Sequence, residues 1–332
     1  MKRLLLSLAI MAMTAAEAMS QCCHCPASGC QSNEGATVYM TREITPQSLV
    51  RIFKALGVKP KGRVAIKIST GESNRSNHLR PDFIKPLVDE VGGTLVECNT
   101  AYGGSRSTTE AHLKAIAERG YDKIAKVDIM DAEGSMKLPV KDTTHIKYNL
   151  VGSHMANYDY MINLAHFKGH QMGGFGGVLK NQSIGIASAQ GKAYIHTAGY
   201  QEQLEGMWQH VGDQDGFLES MAAAAESVHD YFKQDGRNIV YINVMNNMSI
   251  DCDCNGSPQH PQIKDYGIMA STDPVALDKA CLDVVFNYDS KDGDTAEPLK
   301  ERIRQLHGTL TVEHSAKIGL GTMIYKIVDI DK

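Results

Sequence analysis

At 332 residues, 42% hydrophobic and 22% charged, the chain can bury a sizeable core as one large domain or two smaller ones. Its 34 basic and 38 acidic residues give a formal net charge of −4, so it offers no basic field for nucleic acid. Beyond the N-terminus no stretch is apolar enough to span a bilayer.

The chain opens with a targeting pattern. Lys2 and Arg3 precede an apolar run from Leu4 to Met13, and Ala18 and Ser20 sit at −3 and −1 for cleavage before Gln21. Cleavage after Ala18 fits equally. Residues 1–20 thus read as a signal peptide for a periplasmic or secreted protein. Cys22 leaves a lipoprotein anchor open, although Met-Ser-Gln before it is a poor lipobox. Cys22, Cys23, Cys25 and Cys30 lie in a Cys-rich polar linker over 21–45, either a tether or a second metal site.

The main body, 46–332, alternates strand and helix patterns. Thr45 caps a helix from Pro46 to Leu56. Arg63 to Thr70 reads as a strand, Pro81 to Val91 as a helix, and Thr94 to Cys98 as the next strand. A helix from Glu110 to Arg119 and a strand from Lys123 to Ile129 follow. This order predicts an α/β fold, a mostly parallel sheet with crossover helices, with two candidate lobes (46–150 and 151–332) and a cleft between them. Loops at the carboxyl ends of such strands build the binding crevice, which makes Arg80 and Arg106 candidate anion binders.

Residues 137–158 read as β-rich, and 159–165 as an apolar strand. It leads into HFKGHQMGGFGGVLKNQSIGIASAQGKAYIH, from His166 to His196. The glycines Gly173, Gly174, Gly176 and Gly177 predict an irregular loop that lets backbone approach a ligand. Its N–H groups can cradle an anion, with Lys180 adding charge. Farther on, a helix begins near Asp215 and 238–244 reads as a buried strand. Tyr266 to Ala270 reads as a short strand, and STDPVALDKACLDVV as a capped helix with Cys281 packed in its core. A helix near 297–306 and a strand from Thr322 to Val328 end the pattern.

Cys252 and Cys254 form an Asp-Cys-Asp-Cys pair. In an extended chain, alternate side chains lie about 7 Å apart, too far for a disulfide. The spacing therefore predicts reduced thiols that share a metal. His166, His170 and His196 join them as candidate metal ligands, with His170 and Lys180 as candidate catalytic groups. The two motifs should meet at one pocket if their strands run parallel.

Three separated motifs, HFKGHQMGGFGGVLKN, the CDC pair and ASTDPVALDKA, resemble the family called domain of unknown function 362, over roughly residues 60–325. That resemblance implies a metal or iron–sulfur protein, although the ferredoxin-type cysteine runs of many members are absent. A more distant resemblance is to the nickel-pincer lactate racemases. His170, Gly174-Phe-Gly-Gly177, Lys180 and His196 follow that family's order and spacing. The resemblance implies an acid/base role for His170, a covalent pincer-nucleotide attachment for Lys180, and nickel ligation by His196. It departs where Gly104-Ser105-Arg106 replaces a Thr-His-Arg element, so the second acid/base His is missing.

These features lead to an exported metal-binding protein, with a transition metal or an iron–sulfur cluster and a redox partner. Two alternatives are a racemase-like or lyase-like enzyme acting on a small carboxylate, and a metal-free protein that binds a small anionic ligand.

Overall fold

The structure, a computed structural model, describes residues 35–291 and 293–332. The signal segment and the clustered cysteines Cys22, Cys23, Cys25 and Cys30 lie outside the described residues. Strand β1 (Ala36–Thr41) falls inside the stretch read as a linker. The reason is a short alternation: Val38 and Met40 point into the core while Thr37 and Tyr39 are half-buried. Six residues of such a pattern are easily lost beside a polar segment.

Helix α1 (Pro46–Ala55) starts as predicted. Thr45 Oγ1 accepts from the Ser48 N–H, and Ser48 Oγ accepts from the Thr45 N–H. Then come β2 (Val64–Lys67), α2 (Pro81–Val91), β3 (Thr94–Glu97), α3 (Thr109–Arg119) and β4 (Val127–Ile129). Gly92 and Gly120 end α2 and α3 in the left-handed conformation, which glycine adopts without a Cβ penalty. The β-rich stretch is a hairpin of β5 (Ser135–Pro139) and β6 (Tyr148–Gly152). Strand β7 (Tyr160–His166) follows.

The glycine stretch is more regular than its composition suggests. It forms a small hairpin, β8 (Lys168–His170) with β9 (Gly174–Gly176), then helices α4 (Val178–Ile186) and α5 (Ala189–His196). The expected irregular loop is thus corrected. After it come α6 (Gln214–Phe232), β10 (Asn238–Met245), β11 (Gly267–Ser271), α7 (Pro274–Phe286), α8 (Glu297–Gln305), α9 (Leu310–Lys317) and β12 (Tyr325–Asp329).

One eight-stranded sheet runs in the order β12-β1-β11-β10-β7-β2-β3-β4. From β10 to β4 all neighbours are parallel, while β11 is antiparallel to both β10 and β1. Strand β7 lies beside β2, so the candidate lobes 46–150 and 151–332 share this sheet rather than each building its own. Along β7 the pleat sends Ile162 and Leu164 to a layer with Leu49, Ile84 and Ile116 of α1–α3. Met161 and Ala165 face Val178, Val228 and Leu277 of α4, α6 and α7. Burying each such aliphatic side chain stabilises the fold by roughly 1.5–3 kcal/mol before entropy is counted. The parallel β10–β7–β2–β3 block brings four strand ends to one edge, where the site lies.

Candidate functional site

The apolar strands end in charge. Lys67 closes β2, Glu97 closes β3 and His166 closes β7, and all three are buried. Burial pushes the Glu97 carboxyl up, but His112, Arg106 and Lys67 together hold it well below the usual carboxylate range. Arg106 spends its guanidinium on this network: 3.3 Å to Glu97 Oε2, 3.2 Å to Glu72 Oε2, and 2.9 Å to the Tyr102 hydroxyl. It lines the pocket but is already paired, so it is not a free anion anchor. Arg80 is exposed and turned to His78 Nε2 (2.9 Å) and the Ser76 carbonyl (3.0 Å), outside the pocket.

The loop between β10 and β11 folds back onto the β8–β9 hairpin. Gly169 N–H donates to the Ser249 carbonyl at 2.8 Å, and a Cβ at Gly169 would run into the Ile250 backbone. Next along this loop, Asp253 is clamped. Its Oδ1 is 2.9 Å from His166 Nδ1 and its Oδ2 is 3.0 Å from Lys168 Nζ. Burial would raise this carboxyl, but Lys168 and His166 hold it far below its ordinary value, so it is ionised. The other nitrogen of His166, Nε2, faces the Asn246 carbonyl at 2.6 Å. Neither ring nitrogen is free, and His166 is a clamp rather than a metal ligand.

Cys252 and Cys254 are joined by a disulfide, where reduced thiols were expected. The expectation assumed extended backbone. Here Asn255 N–H donates to the Cys252 carbonyl at 2.9 Å, and the resulting turn draws the Cα atoms to 5.2 Å. One His170 ring nitrogen and the two sulfurs lie within 4.8 Å of one another, which makes these residues a candidate His/Cys metal-binding group. The chemistry of these donors decides its fit. Disulfide sulfurs lack the thiolate charge that binds metal, so the group as it stands does not fit an ion.

Ring tautomers separate the two remaining histidines. Met172 and Gly173 N–H groups donate to His170 Nδ1 at 3.2 and 2.9 Å, which places the proton of a neutral ring on Nε2. His196 is the opposite. Its Nδ1 donates to the Lys192 carbonyl at 2.7 Å, which leaves a lone pair on Nε2. Burial, then Lys180 and His196, hold His170 well below its ordinary pKa; burial lowers His196 to about 4. Both are neutral near pH 7. His170 is a donor there, and His196 an acceptor or ligand.

These groups share one cavity of about 90 Å³, whose lining includes His170, Lys180, His196, Cys252 and Cys254. Each water needs roughly 10–15 Å³, so the space suits a small acid. Five cations (Lys67, Arg106, Lys168, Lys180, Lys192) face it against two carboxylates (Glu97, Asp253). Lys67 Nζ donates to the Ile68 carbonyl and Asn181 Oδ1, and Lys192 Nζ to the Ala187 carbonyl. Lys180 Nζ has no hydrogen-bond or ion-pair partner among the described residues. Burial and then Lys168 lower it to about 7.

The glycines serve packing more than ligand contact. Gly174 (φ 77°) abuts Gly308, Gly176 leaves room beside Lys168 and Lys180, and Gly173 holds His170 as described. Gly177 lines the pocket, and a Cβ there would strike the buried Asp278 carboxylate. That carboxylate accepts from the Val178 and Leu179 N–H groups at 3.0 and 2.9 Å. The first free N–H groups of α4 are thus capped by protein, not left for an anion. Sequence reasoning missed Lys67, Glu97 and Trp208 in this pocket. A lone charge ending an apolar strand, as in VAIK and TLVE, was the available signal for the first two.

A family model described as "Domain of unknown function (DUF362)" matches residues 64–283. No curated protein matches the chain. Among solved structures, the lactate racemase apoprotein from Thermoanaerobacterium thermosaccharolyticum is similar at 14% identity and a TM-score of 0.40, covering 71% of this chain and 54% of that one. A crystal structure of a protein from Thermotoga maritima is similar at 12% identity and a TM-score of 0.38, covering 82% of this chain and 58% of that one. The chain spans little more than half the length of either.

Proposed function

The chain belongs to the DUF362 family, and on that premise we propose that its pocket binds a small carboxylate and moves a proton on it. Lys180 receives the carboxylate. His170 Nε2–H donates to an oxygen of the substrate, and His196 Nε2 accepts a proton from it. The observation that carries this reading is the unpartnered Lys180 ammonium in a cavity where two neutral imidazoles present opposite tautomers.

The physical case is one of charge. A surplus of buried cations is costly until an anion enters. Once bound, the anion offsets Lys180 and raises the basicity of His196, which Lys180 and Lys192 otherwise suppress. A neutral imidazole N–H can stabilise an oxyanion without itself ionising. Metal binding draws less support. Only His196 Nε2 has the ligand tautomer, and an iron–sulfur cluster needs at least two free thiolates even where histidines complete the set. The pocket offers Cys98, Cys252 and Cys254, two of them bonded to each other.

The test is solvent exchange. The purified chain is incubated in D2O with a panel of small 2-hydroxy and 2-keto acids, and α-proton loss is followed by NMR. We expect exchange on at least one acid, abolished in His196→Gln and strongly reduced in His170→Gln. Exchange that survives both substitutions would sink the reading.

A further inference from the structure

We infer that Cys252 and Cys254 form a redox-active pair that exchanges with small thiols and disulfides at the pocket. This goes beyond the acid–base reading and stands independently of it.

Four observations carry the inference. The pair closes a very short loop, two positions apart. Cross-link stabilisation grows with loop length, so a structural staple has little to gain here. The two sulfurs differ in access: Cys252 is buried and Cys254 half-buried, and both line the cavity. An external thiolate therefore meets Cys254 first. The Cys254 N–H is aimed at Cys252 Sγ at 3.1 Å, which stabilises negative charge on that sulfur as it leaves. Finally, the loop is anchored independently of the sulfur bond. Asp253 is clamped by His166 and Lys168, and its carbonyl accepts from the Glu72 N–H at 2.9 Å. The pair can open and close without the loop unravelling. Because the Asp253 carboxylate is ion-paired, it does not oppose a thiolate beside it.

The exchange balances with a low-molecular-weight thiol as reductant. A thiolate RS⁻ attacks Cys254 Sγ, and the S–S bond breaks. Cys252 leaves as thiolate with the electron pair. A second RS⁻ attacks the R-bearing sulfur of the mixed disulfide, releasing RSSR and the Cys254 thiolate. Two electrons pass to the pair, and the protons lost by the two RSH molecules end on the two cysteines. Cys98 takes no part. Its thiol donates to the Ile186 carbonyl at 3.3 Å, and burial pushes it up to about 12.

The test uses the full native chain equilibrated anaerobically in glutathione or dithiothreitol buffers of stepped redox ratio. Each sample is trapped with N-ethylmaleimide and read by intact mass and peptide mapping. The expected result, read on the peptide holding 252–254, is one two-electron step that adds two labels to that peptide. The reduced protein then returns the electrons to oxidised glutathione. Cys98→Ser retains the step, while Cys252→Ser and Cys254→Ser lose it. Three results would each overturn the inference. The pair could resist millimolar dithiothreitol until urea unfolds the chain. The peptide holding 252–254 could gain no label at any ratio. Or the reduced pair could hold a metal and fail to re-form the bond. Loss of redox exchange with α-proton exchange intact would leave the carboxylate reading standing, and the converse result would leave this one.

Discussion

His166 Nδ1 lies 2.9 Å from Asp253 Oδ1, across 87 positions of sequence. This contact pins the residue between the two cysteines to the strand that leads into the histidine and lysine cluster. Two motifs that look separate in sequence are thereby walls of one pocket.

The nearby Gly169 makes that joint sensitive to one methyl. Gly169→Ala would force the Ile250 backbone away, because the contact is with main chain and not with a flexible side-chain tip. Overpacking of this kind costs about 1–3 kcal/mol. We expect a lower Tm and, in thiol-trapping, faster reduction of the Cys252–Cys254 bond as the loop lifts. A variant with wild-type Tm and trapping rate would contradict the packing described.

Lys180 should make anion binding pH-dependent. Its ammonium, lowered to about 7, is lost in the free protein above that pH. A bound carboxylate favours the charged form, so binding takes up a proton there. Affinity should therefore fall as pH rises through 7. Lys180→Met should cost about 1.5–3 kcal/mol of binding and flatten the profile. Trp208, the chain's only tryptophan, stands at the pocket with its ring centroid 6.2 Å from that of His196, so its fluorescence can report the titration. An unchanged pH slope in Lys180→Met would refute the assignment.

Arg106 should behave as structure rather than as ligand anchor. Removing one partner of a buried pair costs about 3–5 kcal/mol, because the other charge stays behind. Arg106→Met is expected to lose that much stability in urea, while carboxylate affinity changes far less than in Lys180→Met. Glu97 sits below its unfolded value of 4.5, so it adds stability above that pH that is lost on acidification. The variant should show a shallower acid-side loss.

Asp278 carries the opposite sign. Burial pushes its carboxyl up to about 6 from 3.8. Between about pH 4 and 6 the folded chain holds a proton that the unfolded chain has released, so its contribution falls as pH rises. Asp278→Asn removes that slope. At pH 7 it costs about 1–3 kcal/mol, since an amide has one acceptor oxygen for the backbone donors that now use two. Denaturation midpoints across pH measure both effects.

Much of this fold was readable because its signals are local. Thr45-Pro46 and Asp273-Pro274 mark helix starts by capping chemistry, which needs no tertiary partner. Convergence of the motifs depended on β7 and β10 running parallel, which the sequence left open and the pairing supplies. What stayed hidden depends on distant neighbours. The glycines suggested a loop, yet Gly174 and Gly177 are small because Gly308 and Asp278 press against them. The cysteine spacing suggested separate thiols, because the turn at Asn255 is invisible to a rule for extended chain. Arg80 and Arg106 looked alike in sequence. Only packing shows that one is solvent-facing and the other is spent on Glu97.

The cap on α4 also sets an order of assembly. Val178 and Leu179 depend on a carboxylate 100 and 99 positions downstream. During synthesis, the helix presenting Lys180 emerges long before Asp278 does. Until α7 has left the ribosome and docked, that helix start has two unmet N–H groups and the lysine has no fixed address. The pocket therefore matures late, and a nascent chain that stops short of Asp278 holds every strand of the sheet except β12 but not a finished site.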